Sequence, residues 1–420
     1  MSDLGWIDAM LTAARPQAVA ALLRHFRDLD AAEEAVQEAC LRALKTWPEK
    51  GPPRDPAAWL IFVGKNAAID TARRQRRQRP LDDDTAVSDL EDREVAVVEA
   101  IDDGHYRDDI LRLLFICCHP DLVANQQIAL ALRVVSGLSV SEIAAAFLTS
   151  ESAMEQRITR AKRRIAASAV EYGPPGPGER AERLPSVGAM IYLIFNEGYA
   201  ASGGEVHVRV HLCDEAIRLT RLVIKLFPSE PEMLGLAALM LLQHARTPAR
   251  LAEDGSIVLL EDQDRRRWDA AMIGEGLAML DKAMRHAQPG PYQVQAAIAA
   301  LHARAAAAAQ TDWRGIELLY ATLERMSPSP VVTLNRAVAV SKVKGAAAAL
   351  DMVEPLENAL KNYFYFHGLR GALLSRLGRV REARSAFDMA ISRARSAEEA
   401  AHIRMQLDRL EREANEATGR

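Results

Sequence analysis

Along most of this chain apolar residues recur at spacings of three and four, the period of a helix with one buried face. Residues 137–165, GLSVSEIAAAFLTSESAMEQRITRAKRRI, show the pattern most clearly. Val140, Ile143, Ala144 and Phe147 form one apolar stripe, and Ser139 with Glu142 makes a capping box at the helix start. Leu148-Thr149-Ser150 supplies a turn, with Ser150 placed to cap a second helix. There Met154, Ile158, Ala161 and Ile165 form the stripe to be buried, while Arg157, Arg160 and Arg164 stand on another face. The expectation is a helix-turn-helix whose reading helix is Ser150–Lys162. An ordinary hairpin with a solvated basic face is the competing reading. Confinement of the positive charge to the second helix, beside a neutral-to-acidic first one, favours contact with phosphates.

Upstream, Val36, Cys40, Ala43 and Trp47 predict a helix over Ala31–Trp47, with Glu33, Glu34, Gln37 and Glu38 on its polar face. A loop, Pro48–Arg54, follows, and Asp55-Pro56 starts another helix as N-cap and first residue. That helix passes Trp59, Phe62, Val63, Asn66 and Asp70 and ends in Arg73, Arg74, Arg76, Arg77 and Arg79. Taken alone, such an end reads as a solvated complement to the helix dipole. With Trp59 and Asn66 on exposed turns it also suits single-stranded nucleic acid, by stacking and phosphate contact. Pro80–Gly104 is strongly acidic and reads as a flexible linker. A second helical unit begins near residue 107 with Ile110, Leu111, Leu113, Leu114 and Ile116 as core. Cys117-Cys118-His119 reads as buried apolar packing, because adjacent cysteines do not both easily ligate one tetrahedral zinc.

GPPGPG (Gly173–Gly178) breaks the periodicity and predicts a boundary, so the chain divides into 1–80, an acidic linker 81–106, 107–172, a linker 173–184, and 185–420. In the last part Asp312, Gly345 and Gly378 recur at a spacing of 33 residues, each between two apolar helices. With Leu373, Ala383, Phe387 and Ala390 this is the pattern of a tetratricopeptide-like solenoid, whose concave side would take a protein or a small ligand. FNEGY (Phe195–Tyr199) and LLEDQDRRRWD (Leu259–Asp269) concentrate charged and aromatic residues between helices. Glu197, Glu261, Asp262 and His302 would be the acid/base groups of an enzyme. A polar network fixing how the helices dock is the favoured reading. No nucleophile elbow, phosphate loop, dinucleotide fingerprint or metal spacing occurs, so neither catalytic residues nor a metal or cofactor is expected.

Composition narrows the picture further. The chain has 420 residues, 49% of them apolar but only 5% aromatic, and strand-like alternation is lacking, which predicts an all-α protein of two or three domains. The net charge of −4 makes the local basic clusters more telling. No apolar run spans a bilayer, no leader is evident, and four cysteines show no paired framework. A cytoplasmic protein without membrane contact is expected.

Two small helical units with basic helix ends, joined by an acidic linker, resemble the extracytoplasmic-function class of bacterial sigma factors. AAEEAVQEACLRALKTW (Ala31–Trp47) looks like region 2.2, and DPAAWLIFVGKNAAIDTARRQRR (Asp55–Arg77) like regions 2.3 and 2.4. DDILRLLFICCHPDL (Asp108–Leu122) looks like region 4.1, and the helix-turn-helix like region 4.2. FNEGY, LEDQDRRRW, GPYQVQAAIAALHA (Gly290–Ala303), TDW (Thr311–Trp313) and LNRAVAV (Leu334–Val340) resemble the extension of a subgroup with a tetratricopeptide-like C-terminal domain. The resemblance implies core RNA polymerase and promoter DNA as partners. Glu34, Gln37 and Glu38 would bind the polymerase. Arg54, Trp59, Asn66, Arg73, Arg74 and Arg77 would act at the −10 element, and Ser152, Gln156, Arg157, Arg160, Arg163 and Arg164 at the −35 element. The extension would regulate the sigma unit in cis. An adaptor protein without transcription activity is the alternative.

Overall fold

The computed structural model describes residues 5–76, 103–147, 149–168, 176–199, 206–252, 258–394 and 397–418. These residues are overwhelmingly helical and fall into two units, Met1–Glu197 and Gly198–Arg420.

In the first unit, α1 (Gly5–Phe26), α2 (Leu29–Lys50) and α3 (Pro56–Arg76) pack against one another. The predicted stripe of α2 is where the pattern puts it, with Val36, Ala43 and Trp47 buried and Cys40 half-buried. Ile7 of α1, to which the sequence reading gives no role, is fully buried beside Ala43 and Trp47. A Cβ at Gly64 would lie 2.9 Å from the Ala35 carbonyl oxygen, so the backbones of α2 and α3 approach closely there. Asp28 caps α2 through the amide of Ala31 at 2.9 Å. Asp55 accepts from the amides of Ala57 and Ala58 at 2.9 and 3.1 Å, as the Asp-Pro pair predicts. Helix α2 outruns its expected end, carrying Pro48 in its last turns, and the loop before Asp55 is correspondingly short. Proline near a C-terminus forfeits one N–H bond, to the carbonyl one turn before it, which solvent can satisfy.

The same unit continues with α4 (Asp103–Cys117), α5 (Ala124–Val134), α6 (Val140–Ala146), α7 (Glu151–Ala167) and α8 (Pro177–Tyr199). Leu111, Leu113 and Leu114 are fully buried, as are Cys117 and nearly so Cys118, whose thiol burial pushes up to about 11. Helix α8 starts inside the stretch read as a 173–184 linker, and FNEGY is its C-terminal end rather than a connection. Proline is well suited to a first helical turn, which is why GPPGPG both ends one pattern and starts the next. Arg112 of α4 grips Glu179 of α8 through two bonds of 2.5 and 2.9 Å, and Arg180 reaches Asp108 at 2.5 Å. Arg183 donates to the Phe115 carbonyl at 2.8 Å while lying over the Phe115 ring. The start of α8 is therefore part of the first unit. The acidic stretch up to residue 102 lies outside the described residues.

The second unit holds α9 (Val206–Leu226), α10 (Pro231–His244), α11 (Ala270–Met284), α12 (Pro291–Arg304), α13 (Trp313–Met326), α14 (Pro330–Val343), α15 (Ala346–Val353), α16 (Glu357–Leu360), α17 (Phe364–Arg376), α18 (Val380–Arg393) and α19 (Ala397–Thr418). The 33-residue period is real in space: α12 pairs with α13, α14 with α15, and α17 with α18. Asp312 caps α13, Gly345 stands at the start of α15, and Gly378 turns the chain into α18. Gly345 and Gly378 have φ of 90° and 72°, a backbone that side-chain-bearing residues rarely adopt. Ala383, Phe387 and Ala390 are buried, with Phe387 lying in the space that Gly371 leaves open. Helices α13 and α14 are pinned by Arg336, whose guanidinium bridges Glu317 at 2.9 Å and Glu324 at 2.8 Å. Glu232 of α10 accepts from the first free amides of α12, at Tyr292 and Gln293. This is a cap supplied by another helix.

Candidate nucleic-acid interface

Helices α6 and α7 form the expected helix-turn-helix. Ser139 Oγ accepts from the Glu142 amide at 3.1 Å, and the Glu142 carboxylate accepts from the Ser139 amide at 2.7 Å. Ser150 caps α7 through the Ala153 amide at 3.3 Å. Met154, Ile158, Ala161 and Ile165 are buried beneath α7, against α5 and α6. That packing turns Ser152, Gln156, Arg160, Arg163 and Arg164 outward, all exposed, with Arg160 donating to Gln156 at 3.4 Å. Arg157 is different. It is half-buried, its guanidinium 6.0 Å from the Phe147 ring, which holds it at the seam between the two helices.

On α2, Glu34 and Gln37 are exposed and Glu38 is half-exposed, tied to Arg42 at 3.0 Å. Leu41 and Leu44 continue this face and are 55% and 45% exposed. An apolar pair beside carboxylates, on a helix whose other stripe is already buried, is suited to protein contact. Sequence reasoning missed both leucines, though their position three and four residues beyond the predicted acidic face was the available signal.

On and before α3, Arg54 is exposed and Asn66 is half-buried. Trp59 is half-buried too, its ring meeting Trp47 edge-on with centroids 5.4 Å apart. It is less open than its expected place on an exposed turn, because one ring edge seals the Ile7–Ala43–Trp47 core. Arg73 and Arg74 belong to the last turn of α3. Arg77 lies outside the described residues.

Glu33 departs most from expectation. Placed on the polar face with its neighbours, it is only 3% exposed. Its carboxylate meets Lys162 of α7 at 2.5 Å, and Arg15 of α1 and Arg133 of α5 at 3.6 Å each. Asp30 takes Lys162 as well, at 2.6 Å. Burial works against the Lys162 ammonium, yet Glu33 and Asp30 together hold its pKa above the ordinary lysine value. Arg15 also donates to the Val134 carbonyl at 3.3 Å, and its chain fills the space beside Gly137, where a Cβ would meet it at 2.5 Å. Lys162 thus anchors α7 to α2. Alternation along α2 could not reveal this, since the cations arrive from three other helices.

In the second unit the DQDRRRW stretch carries a polar network between helices. Arg265 donates to the carbonyls of His302 and Ala305 at 2.5 and 2.6 Å and to Thr311 Oγ1 at 3.1 Å. His302 is driven down to about 4 by its burial, with the charges of Arg246 and Arg265 adding to that. Glu197 lies near the end of α8 in the first unit. Among the described residues no cluster of His, Cys, Asp and Glu is arranged to hold a metal, and no helix is long and apolar enough to cross a membrane.

Comparison with known proteins agrees with this geometry. Residues 10–78 match the family Sigma-70 region 2, covering α1–α3, and residues 112–165 match Sigma-70, region 4, covering the helix-turn-helix. Residues 183–284 match a family of unknown function, DUF6596. An uncharacterized protein of Rhizobium meliloti (strain 1021) is 65% identical over 410 residues, spanning 98% of this chain and 97% of its own.

Proposed function

The chain belongs to the sigma-70 family, as an extracytoplasmic-function-like sigma factor with a C-terminal extension, and from this premise we propose how its parts divide the work. Its role is promoter recognition and transcription initiation, with core RNA polymerase and promoter DNA as partners.

The observation that carries the division is the outward face of α7. A capped helix with its apolar stripe fully engaged presents Ser152, Gln156, Arg160, Arg163 and Arg164 to solvent together. Side chains of that kind, projecting from one helix, suit a major groove. In this reading Gln156 and Arg160 read base edges of the −35 element, and Arg163 and Arg164 take phosphates. Arg157, leaning on Phe147, positions the helix and reaches the DNA from its flank. Arg54, Trp59, Asn66, Arg73, Arg74 and Arg77 act at the −10 element, where extruding a base costs a few kcal/mol, offset by stacking and hydrogen bonds. Glu34, Gln37 and Glu38, flanked by Leu41 and Leu44, dock on the polymerase. The extension regulates the sigma unit in cis, as its direct fusion behind the −35 reader supports.

Multi-round transcription with purified core polymerase on a promoter library tests both levels. Discrete start sites that depend on this protein are expected. A chain ending at Glu197, which keeps the α8 residues that grip α4, is run beside it. An altered promoter output or signal response in the shortened chain is expected from cis regulation, and identical behaviour of the two chains would refute it.

A further inference from the structure

Four of the segments that stand out in the sequence of the extension meet at one place. LEDQDRRRW contributes Glu261 and Arg265, the end of α12 contributes His302, TDW contributes Trp313, and α14 contributes Lys342. Together with Arg376 and aliphatic side chains of α14 and α17 they line a cavity of about 420 Å³ within the second unit, the size of a small-molecule site.

The chemistry of the lining is uneven. Arg265, Lys342 and Arg376 bring three positive charges, and Glu261 the one carboxylate. Glu261 is spent on Lys342 at 2.6 Å. Arg265 spends its bonds on carbonyl and hydroxyl oxygens, which leave its charge uncancelled. Arg376 is exposed where it lines the cavity. The Trp313 ring, half-buried, stands between Lys342, 5.7 Å from its centroid, and His302, which meets it edge-on at 5.3 Å. His302 is 9% exposed, yet its Nδ1 has no hydrogen-bond partner. A buried ring nitrogen left without a partner within the protein is uncommon and is open to a water or a ligand group.

We propose that this cavity binds a small organic anion, a carboxylate or phosphate carried on an apolar or aromatic body. The anionic group pairs with Arg376 and shares Lys342 with Glu261, the body packs on Trp313 and the aliphatic floor, and a polar substituent reaches His302 Nδ1. Surplus positive charge over an apolar floor discriminates against both bare inorganic anions and neutral molecules of the same shape. This would give the extension a chemical input, although the binding itself does not depend on the promoter reading.

The test uses 4-fluorobenzoate as the probe, followed by fluorine NMR on the full-length protein without polymerase or DNA. Saturable broadening with a Kd of roughly 0.1–5 mM is expected for so small a ligand. The variant Lys342→Met/Arg376→Met should weaken it by about tenfold or more, and 4-fluorobenzyl alcohol should bind correspondingly worse. Arg376→Met alone alters an exposed side chain and serves as the control that keeps the fold. Absence of saturation, equal binding by the charge-deleted variants, or equal binding of the alcohol would each overturn the proposal. None of these outcomes bears on start-site selection, which the transcription assay reads separately.

Discussion

At the scale of single residues, the protein sorts its charges by what surrounds them. Arg160 is exposed on α7, and Arg157 is held against Phe147. Replacing Arg160 by Ala should cost about 1–3 kcal/mol of binding on the preferred −35 sequence and little on scrambled DNA, if it reads a base. Equal loss on both, measured by fluorescence anisotropy at fixed salt, would make it a phosphate contact. His302 offers a test through pH. Its folded pKa, about 4, lies below the ordinary 6.5, so the folded state resists a proton that the unfolded chain accepts. The stability it protects is complete above pH 6.5 and is lost as pH falls from there toward 4. At full extent the loss is on the order of 3 kcal/mol. Urea titrations across that window should show His302→Phe flattening the acid limb of the stability curve. A slope unchanged by the substitution would refute the assignment.

At the scale of elements, caps and close approaches decide which helices form and how near they lie. Ser139→Ala removes the capping box of α6, a helix of only seven residues, and should cost about 1 kcal/mol in thermal or urea unfolding. Gly235 of α10 faces α12 so closely that a Cβ would come within 2.6 Å of Gln293 Cγ and 2.8 Å of its amide nitrogen. The amide nitrogen is backbone and cannot swing aside, so Gly235→Ala should destabilise the second unit by roughly 1–3 kcal/mol. These signals differ in how plainly the sequence displays them. The capping box, the Asp-Pro start and the 33-residue spacing are local, carried by residues a turn or one repeat apart, and each was legible before any coordinates. The end of α2 and the start of α8 were not, because proline tolerates the flank of a helix from either side. The face of α7 was legible because its buried and exposed positions alternate on one helix. Glu33, the Arg265 network and the cavity were not, because each is assembled from helices far apart in the chain.

At the scale of the whole molecule, two matched sigma regions and an extension share one chain, and the first unit is closed by ions as well as by apolar packing. Glu33→Ala would leave Arg15, Arg133 and Lys162 facing one another, with Asp30 as the remaining acid. Removing one partner of a buried ionic cluster typically costs about 3–5 kcal/mol, and chemical denaturation of the Met1–Glu197 unit should show a loss of that order. If the cost falls near zero, the cluster is ornamental to the fold.

Glu33 also sets a rule for building hybrids. Its cations come from α1 on one side and from α5 and α7 on the other, so the region 2 and region 4 parts are not interchangeable. A chimera that grafts a foreign region 4 onto this α1–α3 would present the carboxylate with a surface lacking Arg133 and Lys162. One that keeps α5–α7 but imports a front half without an acid at position 33 would set like charges against each other. Promoter specificity in such hybrids can be transplanted only with the seam, and a graft should recover its activity when the matching acid or base is carried across with it.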